Sequence, residues 1–334
     1  MQPLTTVDYH TAGEPFRIVT TGAPVPPGRT VLDRREAAIH GELDLVRQLL
    51  CSEPRGHADM YGGFLVPPDD DGADLGVLFW HKDGFSTACG HGTIALATYA
   101  VDEGIVEAPD DGETEVVIDV PSGRVRAVVT RAGGEVESVR FVNVPSYVLA
   151  RGVPVDAVLE PTTADLSYGG AVYASVDATS VGLRVTPEHL GELIRVGRAI
   201  KWALNDHEAA QHPSDPRLSG VYGTIWYERL DDADGLVHQR NVTVFADGEV
   251  DRSPCGSGTS ARLALLDGVE LADGATLVHD SVIGTRFLGR VVGRTTTDGR
   301  DAVVTEVQGS AYRTGEHRFV LDPRDPVGRG FQLR

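Results

Sequence analysis

The sequence predicts an α/β protein of two lobes facing across a cleft, and three observations carry that prediction. First, a short phrase occurs twice: Cys89-Gly90-His91-Gly92-Thr93-Ile94-Ala95 and Cys255-Gly256-Ser257-Gly258-Thr259-Ser260-Ala261, with cysteine, both glycines, threonine and alanine in register. Second, each copy runs into an alanine- and leucine-rich stretch with β-rich segments before and after it, so each half reads strands, glycine turn, central helix, strands. Third, the spacing is near half of a 334-residue chain, too long for a solenoid repeat and suited to two ordinary domains. Ligand clefts favour such lobe interfaces.

The elements follow in order. Thr5 to His10 and Phe16 to Val19 are β-branched and aromatic strands, bent at Thr11-Ala12-Gly13-Glu14-Pro15. Ala38, Ile39, Leu43, Val46 and Leu50 make one apolar face of a helix over about Arg35 to Leu50. A polar, glycine-rich stretch from Glu53 to Gly63 leads to the strand Phe64-Leu65-Val66, the acidic turn Pro67 to Gly72 and a buried strand Leu75 to Trp80. The helix after Cys89 runs to about Asp102, with Gly104 as its stop. Thr114 to Thr130 is β with a tight turn at Pro121-Ser122-Gly123, and Glu137 to Val144 is β again.

After the strand Ala171 to Val176, Thr186-Pro187-Glu188 opens an amphipathic helix whose buried face is Leu190, Leu193, Ile194, Ile200 and Leu204. Strands at Gly223 to Tyr227 and Asn241 to Phe245 lead to Cys255. Valine-rich strands near 276–282, 291–295 and 302–307 precede the tail Phe319 to Pro323.

With 49 acidic and 30 basic side chains the formal charge is -19, spread along the chain. The cations that neutralise phosphates are missing, which argues against nucleic acid and anionic membranes as partners. No apolar run reaches the roughly 18 to 20 residues of a spanning helix. The start Met-Gln-Pro-Leu-Thr-Thr does not read as a signal peptide. Three cysteines, an odd number without disulfide-like spacing, point to a reducing compartment, so the expected location is cytoplasmic.

In both copies two glycines closely follow the cysteine, Gly90 and Gly92 in one and Gly256 and Gly258 in the other, and they weaken a helix start unless something must come close. The free N–H groups of such a start suit an anion, and its positive field is expected to lower the cysteine pKa toward neutrality. Two such cysteines facing each other would give one base and one acid of the same kind. Blander readings stand beside this one: the cysteines merely begin two helices, or Cys89, His91 and Cys255 ligate zinc without a Cys-x-x-Cys pair or a fourth ligand. Cys51, at the end of an apolar helix, reads as a small buried hydrophobe. His10 and His57 read as structural residues of polar loops. Asp251, on the loop before Cys255, is placed to reach an ammonium group.

Asp251-Arg252-Ser253-Pro254-Cys255-Gly256-Ser257-Gly258-Thr259-Ser260-Ala261 resembles the second cysteine motif of the proline racemase family, and Cys89-Gly90-His91-Gly92 its first. The likeness extends to Tyr9 through Pro15, Arg55-Gly56-His57, Met60-Tyr61-Gly62-Gly63 and the tail from Gly315 to Phe331, so it covers nearly the whole chain. One departure is Ser86-Thr87-Ala88 before Cys89, where the family commonly carries methionine next to the cysteine.

The resemblance implies a diaminopimelate-epimerase-like fold: two pseudo-symmetric lobes of mostly antiparallel sheet, each wrapped around a central helix, with the active site in the cleft. The expected division is 1–145 with Cys89, joined by 322–334, and 146–321 with Cys255. It further implies a homodimer, a small imino-acid substrate, and chemistry without metal or pyridoxal phosphate. Carried over by position, Cys89 and Cys255 would be the acid/base pair. Gly90, His91, Gly256, Ser257, Gly258 and Thr259 would hold the carboxylate and nearby groups, Asp251 with His91 would take the ring nitrogen, and Tyr61 and Phe245 would form aromatic walls.

In this family a dehydratase usually has serine or threonine in place of one cysteine, so the retained pair favours epimerisation. Gly92-Thr93 resembles the hydroxyproline epimerase branch, so the implied reaction is trans-4-hydroxy-L-proline to cis-4-hydroxy-D-proline. Proline racemase follows, then trans-3-hydroxy-L-proline dehydratase; a non-catalytic amino-acid-binding protein is the reading from another class.

Overall fold

The computed structural model describes residues 2–156, 162–231 and 236–333. The chain divides into two units, one of residues 1–88, 92–139 and 310–334, the other of residues 89–91 and 140–309.

In the first unit β1 (Leu4–Thr11) and β2 (Glu14–Thr21) form an antiparallel hairpin around Ala12 and Gly13, whose φ values of 51° and 95° reverse the chain. Helix α1 (Val31–Ile39) starts early because Thr30 and Asp33 cap each other's backbone N–H groups. Helix α2 (Glu42–Cys51) follows after a break at His40 and Gly41. The single helix expected over Arg35 to Leu50 is therefore two. At the break the chain passes so close to Ala37 that a Cβ on Gly41 would lie 2.7 Å from its carbonyl oxygen. The apolar stripe survives, with Ala38, Leu43, Val46 and Leu50 buried against Phe64, Leu78 and Trp80.

The unit continues with β3 (Tyr61–Val66), β4 (Leu75–His81), the short β5 (Gly84–Phe85), α3 (Gly90–Asp102), β6 (Gly112–Val120) and β7 (Gly123–Ala132). Helix α3 is buried on every face from Gly90 to Val101, its His91, Thr93 and Thr98 included, and Gly104 at φ 65° ends it. Strand β8 (Glu135–Val142) carries the chain into the second unit. The closing strand Ala311–Phe319 pairs antiparallel with β1 from Thr11–Ala311 to Leu4–Phe319, which is why the chain rejoins the first unit at Ser310 rather than at the expected 322.

The second unit contains β9 (Tyr147–Val155), β10 (Thr162–Tyr168), β11 (Val172–Asp177), α4 (Leu190–Leu204), β12 (Val221–Arg229), β13 (Val237–Phe245) and the short β14 (Glu249–Asp251). It ends with α5 (Gly256–Leu266), β15 (Thr276–Ser281), β16 (Arg286–Thr297) and β17 (Arg300–Gly309). On α4 the buried residues are Leu193, Val196, Gly197, Ile200, Lys201 and Leu204, while Leu190 and Ile194, expected in that face, are half-buried. Trp226 sets this rotation. It fits under Gly197, where a Cβ would lie 2.7 Å from its indole nitrogen, and donates to the Leu193 carbonyl at 2.9 Å.

The strand ladders of the two units share one pairing pattern. From the closing strand through β1, β2, β3, β4, β6 to β7 the pairs run antiparallel, antiparallel, parallel, antiparallel, parallel, antiparallel. From β9 through β10, β11, β12, β13, β15 to β16 the same sequence repeats, followed by β17 antiparallel to β16. The internal duplication first seen in two cysteine phrases is a duplication of the hydrogen-bonded ladder, with α3 and α5 as equivalent central helices. Among the described residues no helix is long and apolar enough to cross a membrane.

Candidate active site

Cys255 is the residue before α5 and holds φ 62° and ψ 103°, a region L side chains rarely adopt. Such a conformation costs on the order of 1–3 kcal/mol and persists only where the surroundings impose it. Here the Cys255 N–H donates to Ser253 Oγ at 3.1 Å, and the Ser253 hydroxyl and N–H both donate to Asp251 Oδ1, at 2.7 and 2.8 Å. One carboxylate oxygen thus organises the turn. The other, Oδ2, is directed at the His91 ring, 3.9 Å from Nδ1.

Burial dominates the electrostatics. It pushes the Cys255 thiol well above the ordinary cysteine range, and the neighbouring Asp251 charge pushes the same way. Thr243, the Gly258 N–H and Tyr173 act in the opposite sense without reversing it. The expected lowering by the helix N-terminus is therefore overridden, because the desolvation of a buried thiolate outweighs the field of one helix start. Burial also raises Asp251 to about 6, against the pull of the Ser253 donors.

The first cysteine turn is grouped with this unit over Cys89, Gly90 and His91, whereas the expectation placed Cys89 in the first lobe. Cys89 Sγ lies 3.5 Å from His91 Nδ1 and 3.6 Å from Nε2, so the imidazole covers the sulfur. The glycines explain the grouping. A Cβ on Gly90 would fall 2.5 Å from Gly256 Cα and 2.6 Å from the Ser257 nitrogen, and one on Gly256 would fall 2.7 Å from Gly90 Cα. The two turns touch backbone to backbone, and only glycine allows it. Gly258 has a separate reason, since its Cβ would meet Cys255 Sγ at 2.8 Å. Both cysteine residues are buried, Cys89 at 5% and Cys255 at 6% exposure.

An aromatic chain runs beside Cys255. Phe245 stacks on Tyr222 (5.6 Å between ring centres), and Tyr222 meets Tyr173 edge-on at 5.8 Å. The Tyr173 hydroxyl is 2.7 Å from Ser257 Oγ and 3.9 Å from Cys255 Sγ. Sequence reasoning saw Tyr173 only as part of a strand. Its one signal was a bulky residue amid the small ones of Gly169-Gly170-Ala171-Val172-Tyr173-Ala174.

The second unit thus brings together Cys89, Gly90, His91, Asp251, Cys255, Gly256, Ser257, Gly258 and Thr259, with Phe245 joined through Tyr222 and Tyr173. Gly92 and Tyr61 belong to the first unit, where Tyr61 shares a hydrogen with Ser86 and stacks on Phe16. His10 and His57 serve as turn acceptors, for the Gly13 and Asp59 N–H groups at 3.2 Å each.

A model of the family described as proline racemase matches residues 6–332. The chain belongs to the proline racemase family. It is 46% identical over 333 residues to a protein of Burkholderia multivorans named 3-hydroxyproline 2-epimerase, covering 99% of this chain and 98% of that one. It is 44% identical over 330 residues to a trans-3-hydroxy-L-proline dehydratase of Bacillus cereus, covering 98% of each. A solved hydroxyproline epimerase of Agrobacterium vitis, with bound trans-4-hydroxy-L-proline, superposes with a TM-score of 0.91 at 32% identity, covering 99% of this chain and 96% of that one. The protein is therefore an enzyme of the amino-acid racemase and epimerase type, with the mixed α/β fold of that family.

Proposed function

We propose that the protein inverts the α-carbon of a hydroxyproline, with Cys89 and Cys255 as the acid/base pair. The observation that carries this reading is the backbone contact of Gly90 with Gly256, which brings both cysteine turns and both helix starts to one place. An α-proton is a very weak acid, so its removal needs a positioned base and fixed donors for the charge that spreads onto the carboxylate. The first-turn N–H groups of α3 and α5 are such donors, and losing one set typically costs about 3 kcal/mol of barrier. Asp251 Oδ2, beside His91, receives the ring ammonium, while Ser257 and Thr259 stand in the turn that meets the carboxylate. In the resting state Cys255 carries its proton, so it is the acid of the first half-reaction and Cys89 the base. Once an ammonium neutralises Asp251, the penalty on a Cys255 thiolate falls and the roles exchange. Phe245 serves as an aromatic wall; Tyr61 and Gly92 enter on the family resemblance alone.

Inversion needs both thiols, and elimination does not. In trans-3-hydroxy-L-proline the hydroxyl is opposite the carboxylate and so shares a ring face with the α-hydrogen. One cysteine can then take the proton and pass it to the departing hydroxyl. The second cysteine of this chain is accounted for by epimerisation. The ring position is drawn two ways. The sequence resemblance points to 4-hydroxyproline, which the Agrobacterium vitis structure holds. The more similar Burkholderia and Bacillus relatives are named for 3-hydroxyproline, and we rank the 3-hydroxy substrate first on that similarity. The free thiols suit a cytoplasmic location, and the homodimer that the resemblance implies is testable by sedimentation.

Proton NMR in D2O with trans-3-hydroxy-L-proline, trans-4-hydroxy-L-proline and L-proline, each run separately, tests the reading. Deuterium at the α-position together with the cis-3-hydroxy-D-proline spectrum is the expected result. The cis-4-hydroxy-D product formed faster moves the ring position, and loss of water from the 3-hydroxy compound makes the protein a dehydratase. Absence of exchange with all three overturns the enzyme assignment for these substrates.

A further inference from the structure

A buried polar chain lies under the turn that carries Cys255. His279 on β15 is fully buried; its Nε2 is 2.7 Å from Asn241 Nδ2 on β13 and its Nδ1 is 2.8 Å from Thr259 Oγ1 on α5. Both partners reach a common atom. Asn241 Nδ2 donates to the Pro254 carbonyl at 3.0 Å, and Thr259 Oγ1 donates to the same oxygen at 3.1 Å. One proton arrangement satisfies all four contacts. The Asn241 amide gives one hydrogen to Pro254 and the other to His279 Nε2. The imidazole is then neutral with its hydrogen on Nδ1, and Thr259 accepts that hydrogen while passing its own to Pro254. Burial lowers the His279 pKa to about 3, so the neutral form holds through the working range. Imidazole in this state is an acceptor on one side and a donor on the other, which no aliphatic or carboxylate side chain reproduces.

The doubly held Pro254 carbonyl immediately precedes the residue at φ 62°. We propose that His279 is a positioning residue for Cys255: through Asn241 and Thr259 it fixes the Pro254 peptide and so holds the thiol in its left-handed backbone conformation. The proposal deepens the two-cysteine reading and rests on it only for the kinetic part of its test.

The test compares His279→Leu with Leu263→Ala, a cavity in the same helix whose side chain the reading does not use. Two quantities are measured: kcat and KM on whichever proline derivative the wild type turns over, and the iodoacetamide labelling rate of Cys255 read by peptide mass spectrometry. For His279→Leu, kcat is expected to fall about 100-fold with KM within threefold, and Cys255 is expected to label at least tenfold faster as its turn loosens. Leu263→Ala, at a comparable loss of Tm, is expected to leave both unchanged. Equal effects in the two variants, or an unchanged labelling rate in His279→Leu, overturn the proposal. If the wild type turns over none of the substrates, the functional reading fails and the labelling comparison alone decides this one. Should His279→Leu not fold, His279→Phe, which keeps a ring and removes both hydrogen-bonding nitrogens, takes its place against the same control with the same expected and overturning results.

Discussion

The two cysteine turns are near-copies in sequence and differ in what surrounds the sulfur. Cys89 has an imidazole against it, within 3.5 Å, while Cys255 has a carboxylate on its loop, a phenol at 3.9 Å and a buried scaffold that forces φ 62° on its backbone. The surroundings of the second sulfur, burial first and then the Asp251 charge, raise its pKa, and the proposed mechanism uses this to keep Cys255 protonated at rest.

Removing either sulfur breaks the comparison most severely. Cys89→Ser and Cys255→Ser are each expected to lower the inversion rate at least 1,000-fold, since a serine hydroxyl is too weak an acid and base at neutral pH for its half of the transfer. Exchange of the α-proton with D2O is expected to survive on the face of the remaining cysteine, so each variant exchanges one enantiomer only. Loss of both exchanges in a single variant would mean that the sulfurs do not act on separate faces.

Asp251→Asn comes next. The amide keeps an acceptor for the Ser253 donors but removes the anion that meets the ammonium, so kcat/KM is expected to fall about 100-fold. In the wild type, activity is expected to decline as pH falls through about 6, where Asp251 takes up its proton, and the variant lacks that limb. Stability runs the other way. The folded-state value of about 6 lies above the ordinary 3.8, so the ionised carboxylate costs stability, by nothing below pH 3.8 and increasingly as pH rises through 6. Two units correspond to about 3 kcal/mol. The variant is expected to melt roughly 2–5 °C above the wild type at pH 8, and the gap to close by pH 4. Thermal denaturation at the two pH values reads it.

The glycines give a smaller, steric test. Gly256→Ala drives a methyl into the Gly90 backbone and is expected to cost about 1–3 kcal/mol, with inversion roughly tenfold slower. Gly258→Ala meets side-chain atoms, the Cys255 sulfur at 2.8 Å and Cys255 Cβ and Ile225 Cδ1 at 3.2 Å, rather than backbone, so its melting temperature is expected to fall less. The reverse order would mean that the contact of the two turns contributes little.

Much of this was legible in the chain because it is local. Helix α3 ends where Gly104 stands, the hairpin of β6 and β7 turns at Pro121-Ser122-Gly123, and Cys89, Asp251 and Cys255 stand out through motif spacing. What escaped is non-local. The closing strand reads Arg313-Thr314-Gly315-Glu316-His317, polar on both faces, and is a strand only because β1 pairs with it across 300 residues of chain. The break between α1 and α2 hides inside an unbroken apolar stripe. Tyr173 and His279 reach the cysteine turn from β11 and β15, and no spacing along the sequence announces either. The Cys255 pKa could not be read at all, since a helix start is visible in a sequence and the degree of desolvation is not.

Cys51 supplies the weakest effect and closes the comparison. It is as buried as the other two cysteines, 1% exposed, but it ends α2 among Leu49, Leu50 and Phe64, and its chain neighbours are Leu50 and Ser52 rather than a glycine. Its sulfur contacts the Arg47 guanidinium at 3.7 Å and the Gln48 carbonyl at 3.8 Å, both on its own helix. Burial alone therefore does not single out the two cysteines proposed to act; the backbone contact between their glycine turns does. Cys51→Ala leaves a space of about one sulfur atom and is expected to cost about 1 kcal/mol, with kcat and KM unchanged. A Tm measurement alongside NMR-monitored inversion checks this, and a loss of turnover at intact fold would show that the glycine-turn criterion had excluded a thiol the reaction needs.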